Sequence, residues 1–378
     1  MKKSVFLLAL TLCVSAAAQT NFVYTDDSSF PNTVSAFRVN QDGSLTLIPG
    51  SPFPTGGNGG MTDVNPGKIT TATRGRSSFL YAANNSDETI SAFRIDRATG
   101  ELTAVPGSPF PSGTPNSNAN FSLAASPDGK FLFAADEATD VIHVFAIHHD
   151  GALFERPHSP VNIGAVAEGL KVTPDGEFLI AGLTLNSAIG VFAIERDGSL
   201  RAVPGSPFPA GSFIRDVAVN CSSNLVFASS EGPNVIDAFH MARNGALRPV
   251  AGSPFSSGGH FVSALTLSPD NRNLFDSNIF DSTVSSLAVH PHGSLQVIGA
   301  FPTSDFLVGS LETTQAGNFL YVALVGIVAV DAFSVGPGGV LTPVSGRPFF
   351  TGQPQEFVLS LTTFPAPICE GKHKDQDE

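Results

Sequence analysis

Short apolar-alternating runs recur along the chain, divided by polar turns rich in Gly, Pro, Asp and Asn. VSAFRVNQDGSLTLIPGSPF begins at Val34 and ISAFRIDRATGELTAVPGSPF at Ile90, and further copies start at Ile142, Ile189, Ile236, Val284 and Val330. The fourth residue of each copy is Phe37, Phe93, Phe145, Phe192, Phe239, Leu287 and Phe333, giving spacings of 56, 52, 47, 47, 48 and 46. Within a copy the alternation has period two: Ile90, Ala92 and Arg94 share one face, Ser91, Phe93 and Ile95 the other. That is the periodicity of a strand. Upstream lies a second apolar run, as in FLYAA from Phe79, FLFAA from Phe131, FLIAG from Phe178 and FLYVA from Phe319. Before it comes a third, ending in Ser-Pro-Asp-Gly at Ser126 or Thr-Pro-Asp-Gly at Thr173. Pro presets φ and Gly accepts a positive φ, so these tetrapeptides fit tight turns.

Each unit therefore predicts four short strands, a to d from first to last. Seven such units predict an all-β, seven-bladed β-propeller with four antiparallel strands per blade. Ring closure removes the sheet edges that an open array would expose. The mature chain, after the cleavage argued below, is expected to start almost directly in a b-type strand, Phe22 to Tyr24, with no a strand before it, and an orphan apolar run, Phe357 to Leu361, stands at the other end. The C-terminal run is thus expected to supply the inner strand of blade 1. The repeated Ser-Pro-Phe is expected where the chain leaves the outer strand for the centre, with Pro stopping the strand and Phe packing between blades.

Composition sharpens this reading. Gly is 37 and Pro 28 of 378 residues, and 31 Phe stand against no Trp, as if one packing position were filled the same way each time. Twenty Lys+Arg against 33 Asp+Glu give a net charge of -13, which argues against nucleic acid or anionic membrane as partners. Lys2 and Lys3, the apolar run Val5 to Val14 and Ala16 to Ala18 form a secretory signal, with cleavage expected after Ala18. The run is too short to span a bilayer, and no later stretch reaches ~18 apolar residues. The expected organisation is a signal peptide at 1–18, a propeller at 19–366 and a charged tail at 367–378, exported to the periplasm or secreted, soluble and monomeric. Export leaves Cys221 and Cys369 in an oxidising compartment. Cys221 falls in the a–b turn of blade 5. Strand a of blade 1 ends on that face near Phe364, and five further residues span about 17 Å to Cys369. A Cys221–Cys369 disulfide across the channel end is the expectation.

Three stretches carry a family likeness: SPDGKFLFAADEATDVIHVF (Ser126 to Phe145), FIRDVAVN followed by FASSE (Phe213 to Glu231), and the repeated ISAF units ending in PGSPF. In these the chain resembles the lactonase-type seven-bladed propellers, which include 6-phosphogluconolactonase-like hydrolases and a muconate cycloisomerase. The resemblance implies a polar site at the channel mouth, on the face built by d–a and b–c loops. In the family, one blade reads Gly-Pro-Arg-His before strand a and Asn-Glu after strand b; Arg215 and Glu231 match its Arg and Glu, and Asp216 takes the His position. Other family positions are occupied differently, by Asn118, Ala119 and Phe121 in blade 3 and by Ile279 in blade 6.

Aligning blades on their a–b turns places Glu168 of blade 4 level with Arg215 of blade 5. Lactone hydrolysis needs a base for water and a cation for the developing oxyanion. Glu231 or Glu168 suits the first role and Arg215 the second. The plainer alternative is an Arg215–Glu168 ion pair that ties two blades together. Asp216, and Asp136 with Glu137 in the b–c loop of blade 3, are candidate substrate contacts. The histidines at 148–149 and 290–292 fall in outer turns, and no HExxH or CxxC occurs, so neither metal nor cofactor is expected. Two classes of function follow: a hydrolase of a sugar lactone or related cyclic ester, or a non-catalytic propeller binding a protein or glycan.

Overall fold

The computed structural model describes residues 20–60, 67–112, 121–351, 357–358, 360–367 and 369. The predicted signal peptide, Asn118, Ala119 and nearly all of the predicted tail lie outside them. The described chain forms seven antiparallel sheets in a ring, a seven-bladed β-propeller. Its only helical segments are two three-residue 3₁₀ turns, Thr184–Asn186 and Pro337–Gly339. Among the described residues no helix is long and apolar enough to cross a membrane.

Blade 1 shows the closure. Its strand b, Phe22–Asp26, pairs on one side with strand c, Thr33–Val39, and on the other with the C-terminal Ser360–Phe364. The closing strand thus has the predicted partner but begins three residues later than predicted. Thr362 and Thr363 are polar residues in this strand. In the fold they are buried on an inner strand that leans on blade 7: Leu361 N donates to Ser310 Oγ (2.6 Å), Thr363 N to Glu312 Oε2 (2.7 Å) and Thr363 Oγ1 to the Thr313 carbonyl (2.9 Å).

Seven apolar clusters fill the seams between neighbouring blades, and the recurrent Phe of strand c lies in each except where Leu287 replaces it. The c–d turn glycines belong to the same seams. A side chain at Gly43, Gly100, Gly151, Gly198 or Gly245 would strike the ring of Phe319, Phe22, Phe79, Phe131 or Phe178, each in the first three residues of strand b of the preceding blade. All three tyrosines reinforce this contact. Tyr24, Tyr81 and Tyr321 donate to the carbonyls of Gly100, Gly151 and Gly43 at 2.8, 3.0 and 2.9 Å, the last joining blade 7 to blade 1.

The Ser-Pro-Phe motif does not end the outer strand. After the motif's turn the chain pairs again with strand c, as Phe53–Pro54 does with Thr33 and Val34. Strand d is therefore split, and the motif bridges the gap. Its serine accepts the strand c N–H that the gap exposes: Ala36 N to Ser51, Ala92 N to Ser108, Val191 N to Ser206 and Ala238 N to Ser253, and in blade 3, where the motif reads Ser-Pro-Val, Val144 N to Ser159, each 2.9 Å. Blade 6 lacks the motif, and its outer strand, Leu295–Pro302, runs on with one register shift. Blade 7 has Arg347 in place of the serine. There Asp331 Oδ1 takes the Ala332 N–H (3.0 Å), and Arg347 Nη1 neutralises Asp331 at 2.6 Å.

Candidate functional site at the channel mouth

Strand a lines the channel in every blade, and in blades 4 to 7 it carries an irregularity near its start. The pairing with strand b shifts between Ala167 and Leu170, Ile214 and Val217, Val262 and Leu265, and Val308 and Leu311. Blades 2 and 3 pair regularly. A bulge re-aims side chains and recurs beside functional sites. Here it carries Glu168 in blade 4 and Arg215 in blade 5 at equivalent positions. Gly169 makes their meeting possible, because a Cβ there would collide with the backbone of Asp216.

The three residues proposed for chemistry converge. Arg215 Nη1 lies 2.7 Å from Glu168 Oε2 and its Nε 2.5 Å from Glu231 Oε2. The side chains of Arg215, Glu168 and Glu231 are 17, 6 and 15% exposed, so the cluster is largely desolvated and keeps some contact with solvent through Arg215 and Glu231. Glu231 N also donates to the Phe213 carbonyl (3.0 Å), fixing the start of the b–c loop against the entry to strand a.

The other candidates lie elsewhere. Asp216 points between blades: Oδ2 accepts from Leu265 N (2.9 Å) and Oδ1 from Val217 N (2.8 Å). Burial pushes its carboxyl above the usual range, opposed by Lys171 and these two N–H groups. It joins blade 5 to blade 6 and does not stand beside Arg215 on the mouth. Asp136 is buried and accepts from Ala138 N (2.9 Å) and Thr139 N (3.3 Å), closing the b–c turn of blade 3. Glu137 follows it, half-buried on the mouth face. His148, His149 and Asp150 come within 4.8 Å of one another but are all exposed on the opposite face.

Three features escaped the sequence reading. The first is a buried polar contact below the mouth, at the third residue of strand c. Ser35 donates to Asp27 (2.8 Å), Asn84 to Ser91 (2.7 Å), Ser230 to Asp237 (2.5 Å) and Asn278 to Ser285 (2.8 Å). In blade 3, His143 Nδ1 meets Glu155 at 2.8 Å while Nε2 stands 4.0 Å from Asp136. A polar residue or Gly at that position in each copy was the signal. The second is a cavity of about 150 Å³ within the channel, lined among others by Lys171, Asp216 and Glu312. Below it a cavity of about 280 Å³ is bounded by Cys221 and Cys369, which form a disulfide with Cα atoms 5.2 Å apart. The third is a set of exposed apolar side chains at the mouth, Leu185, Phe213, Phe261 and Phe280 among them.

Comparison with known proteins agrees with this architecture. A family model described as "Lactonase, 7-bladed beta-propeller" matches residues 18–166, the first three blades. A curated 6-phosphogluconolactonase of Pectobacterium carotovorum is 29% identical over 84 residues, which are 22% of this chain and 25% of that protein. The match thus spans about a quarter of the curated relative's length. Among solved structures, a Bacteroides uniformis protein superposes with a TM-score of 0.71 at 18% identity, covering 92% of this chain and 100% of that one. The periplasmic gluconolactonase of Pseudomonas aeruginosa gives 0.68 at 19%, with 92% and 100% covered. At these identities the structures speak for the fold.

Proposed function

Taking the chain as a lactonase-type seven-bladed propeller, we propose that it is an exported hydrolase of a lactone or related cyclic ester. The observation that carries this reading is Arg215, set on a bulge and held between carboxylates of two blades at the channel mouth. In the proposed reaction Glu231 takes a proton from water, which attacks the lactone carbonyl. The negative charge gathering on that oxygen faces the Arg215 guanidinium, whose position Glu168 maintains. The ring C–O bond then breaks, the proton on Glu231 passes to the departing alkoxide, and a hydroxy acid is released. A positioned base and a preorganised cation are the two contributions such a step needs. The named activities of the curated relative and of the periplasmic neighbour accord with lactone chemistry and with export.

Glu231→Gln and Arg215→Ala should each lower kcat by about 10²-fold or more in a lactone-opening assay. The double engagement of Arg215 also suits a tie between blades 4 and 5, as in a non-catalytic binding propeller. Unchanged turnover in both variants with a lowered unfolding midpoint would make the cluster a tie and move the chemistry elsewhere, and no turnover of any lactone would favour the binding propeller.

A further inference from the structure

Exposed apolar side chains stand at the mouth on the blade that carries Arg215 and on its neighbours. Phe213 and Phe261 both precede strand a, in blades 5 and 6, and both adopt left-handed backbone angles, with φ of 55° and 56°. A bulky side chain is a true outlier there, and such strain is held in place only where the surroundings fix it. The fixing contacts are present. The Phe213 carbonyl accepts from Glu231 N (3.0 Å); Phe261 N donates to Asn234 Oδ1 (2.6 Å), and its carbonyl accepts from Ile279 N (3.1 Å). Both rings nevertheless stay exposed, at 46 and 43%. The Phe261 ring stands edge-on to Phe280, with centroids 4.6 Å apart, and Phe280 is itself 57% exposed. On the blade 4 side Leu185 is exposed beside Thr184, whose hydroxyl donates to the Ile214 carbonyl (2.8 Å) next to Arg215. Exposed apolar side chains therefore stand at the rim of blades 4, 5 and 6, and blades 4 and 5 carry the Glu168–Arg215–Glu231 cluster.

Charge at the mouth points the same way. Two carboxylates share the one guanidinium of the cluster. Asp87, Glu137, Asp140, Asp281 and Asp305 occupy loops of the same face, and His260 there is engaged by Asp281 at 2.9 Å. A phosphorylated or carboxylated substrate would meet net negative potential at the entrance.

We propose that the substrate of this site is a neutral lactone bearing an aryl or alkyl arm, with the reacting ring at Arg215 and the arm on Phe213, Phe261 and Phe280. This deepens the hydrolase reading and rests on it. The full-length exported protein would be assayed with dihydrocoumarin, glucono-δ-lactone and 6-phosphoglucono-δ-lactone. The expected order puts dihydrocoumarin at least ~10-fold above the phosphorylated lactone in kcat/KM. Phe261→Ala and Phe280→Ala should each raise KM for dihydrocoumarin about 10-fold with kcat little changed, the scale of lost apolar contact in a pocket. Both should leave glucono-δ-lactone within about twofold. Preference for the phosphorylated lactone, or equal losses on all three substrates, would overturn the proposal. Calorimetric titration with 3,4-dihydroquinolin-2-one, the unreactive lactam analogue, separates this proposal from the reaction. Binding that weakens in Phe261→Ala, without turnover of any lactone, would sink the hydrolase reading and keep the apolar subsite. Absence of binding would sink the subsite.

Discussion

A single serine decides whether a blade keeps a split outer strand without leaving an unsatisfied donor. Ser206 accepts the Val191 N–H at 2.9 Å where strand d has pulled away, and the other serines of the motif repeat this contact. A backbone N–H left without a partner in a half-buried place costs about 1–3 kcal/mol. Ser206→Ala should therefore lower stability by about that much, read as a shift of the urea midpoint with an unchanged slope. Blade 7 solves the same problem with charge, and the solution is more fragile. Arg347 offsets Asp331, whose side chain is fully buried, so Arg347→Ala leaves an interior carboxylate without its counter-ion, held only by the N–H groups of Ser304 (2.8 Å) and Ala332 (3.0 Å). Removing one partner of such a pair costs about 3–5 kcal/mol. A loss in Arg347→Ala no larger than in Ser206→Ala would show that the two N–H donors hold Asp331 without the guanidinium. The tyrosines illustrate the same economy of residue types: three in the chain, each bonded to the c–d turn glycine of the next blade.

At the scale of strands, closure rests on one late segment. Ser360–Phe364 has to find Phe22–Asp26 across nearly the whole chain, and the Cys221–Cys369 bond holds the residues just after it to the a–b turn of blade 5. The bond closes a sequence separation of 148 residues, and a loop of that size stabilises by roughly 2–5 kcal/mol. Cys369→Ala should lower the unfolding midpoint accordingly under non-reducing conditions, and dithiothreitol should bring the wild type to the same value. A variant as stable as the oxidised wild type would mean that the closing strand needs no anchor. This strand also marks how far the sequence can be read. The strand c copies were legible because five or more alternating residues recur at a near-constant spacing. Phe53–Pro54 and its counterparts were not, since two residues carry no period and their pairing is visible only against strand c. The start of the closing strand was misplaced because its bounds were taken from the apolar run, whereas the pairing is set by Phe22–Asp26 and by Glu312 and Thr313 of blade 7. At the site, the level placement of Glu168 and Arg215 followed from counting back from the a–b turns. The inward turn of Asp216 did not, because a bulge is a mismatch between two strands and neither strand's sequence announces it.

For the molecule as a whole, the buried carboxylates and the turn carboxylates pull in opposite directions on pH. Burial raises the carboxyls of Asp26, Asp27, Asp216, Asp276 and Glu312 above their ordinary range, with Asp27 pushed up to about 7. A group that binds its proton more tightly folded than unfolded adds stability while protonated. That stability drains away as pH rises from the unfolded value near 4 toward the folded one, a window that for Asp27 ends near 7. Asp42, Asp96, Asp150 and Asp197 behave oppositely. Hydrogen bonds from turn donors such as Ser44, Thr99, Ala152 and Ser199 hold them below the ordinary range, and their contribution is lost as pH falls through the folded values. The net charge of -13 adds to the first trend, because acidification relieves self-repulsion. Stability should therefore peak near pH 4–5 and decline toward about pH 7. Urea midpoints measured from about pH 3 to 9 test this, and Asp27→Asn isolates one contributor. The carboxamide of that variant would occupy the pocket formed by the hydroxyls of Thr25, Thr33 and Ser35 without a titratable proton to lose. The variant's decline between about pH 4 and 7 should be shallower than the wild type's, with the two curves closest at the acid end. An optimum at about pH 7–8, or an unchanged slope in Asp27→Asn, would place the titrating burden outside these buried carboxylates.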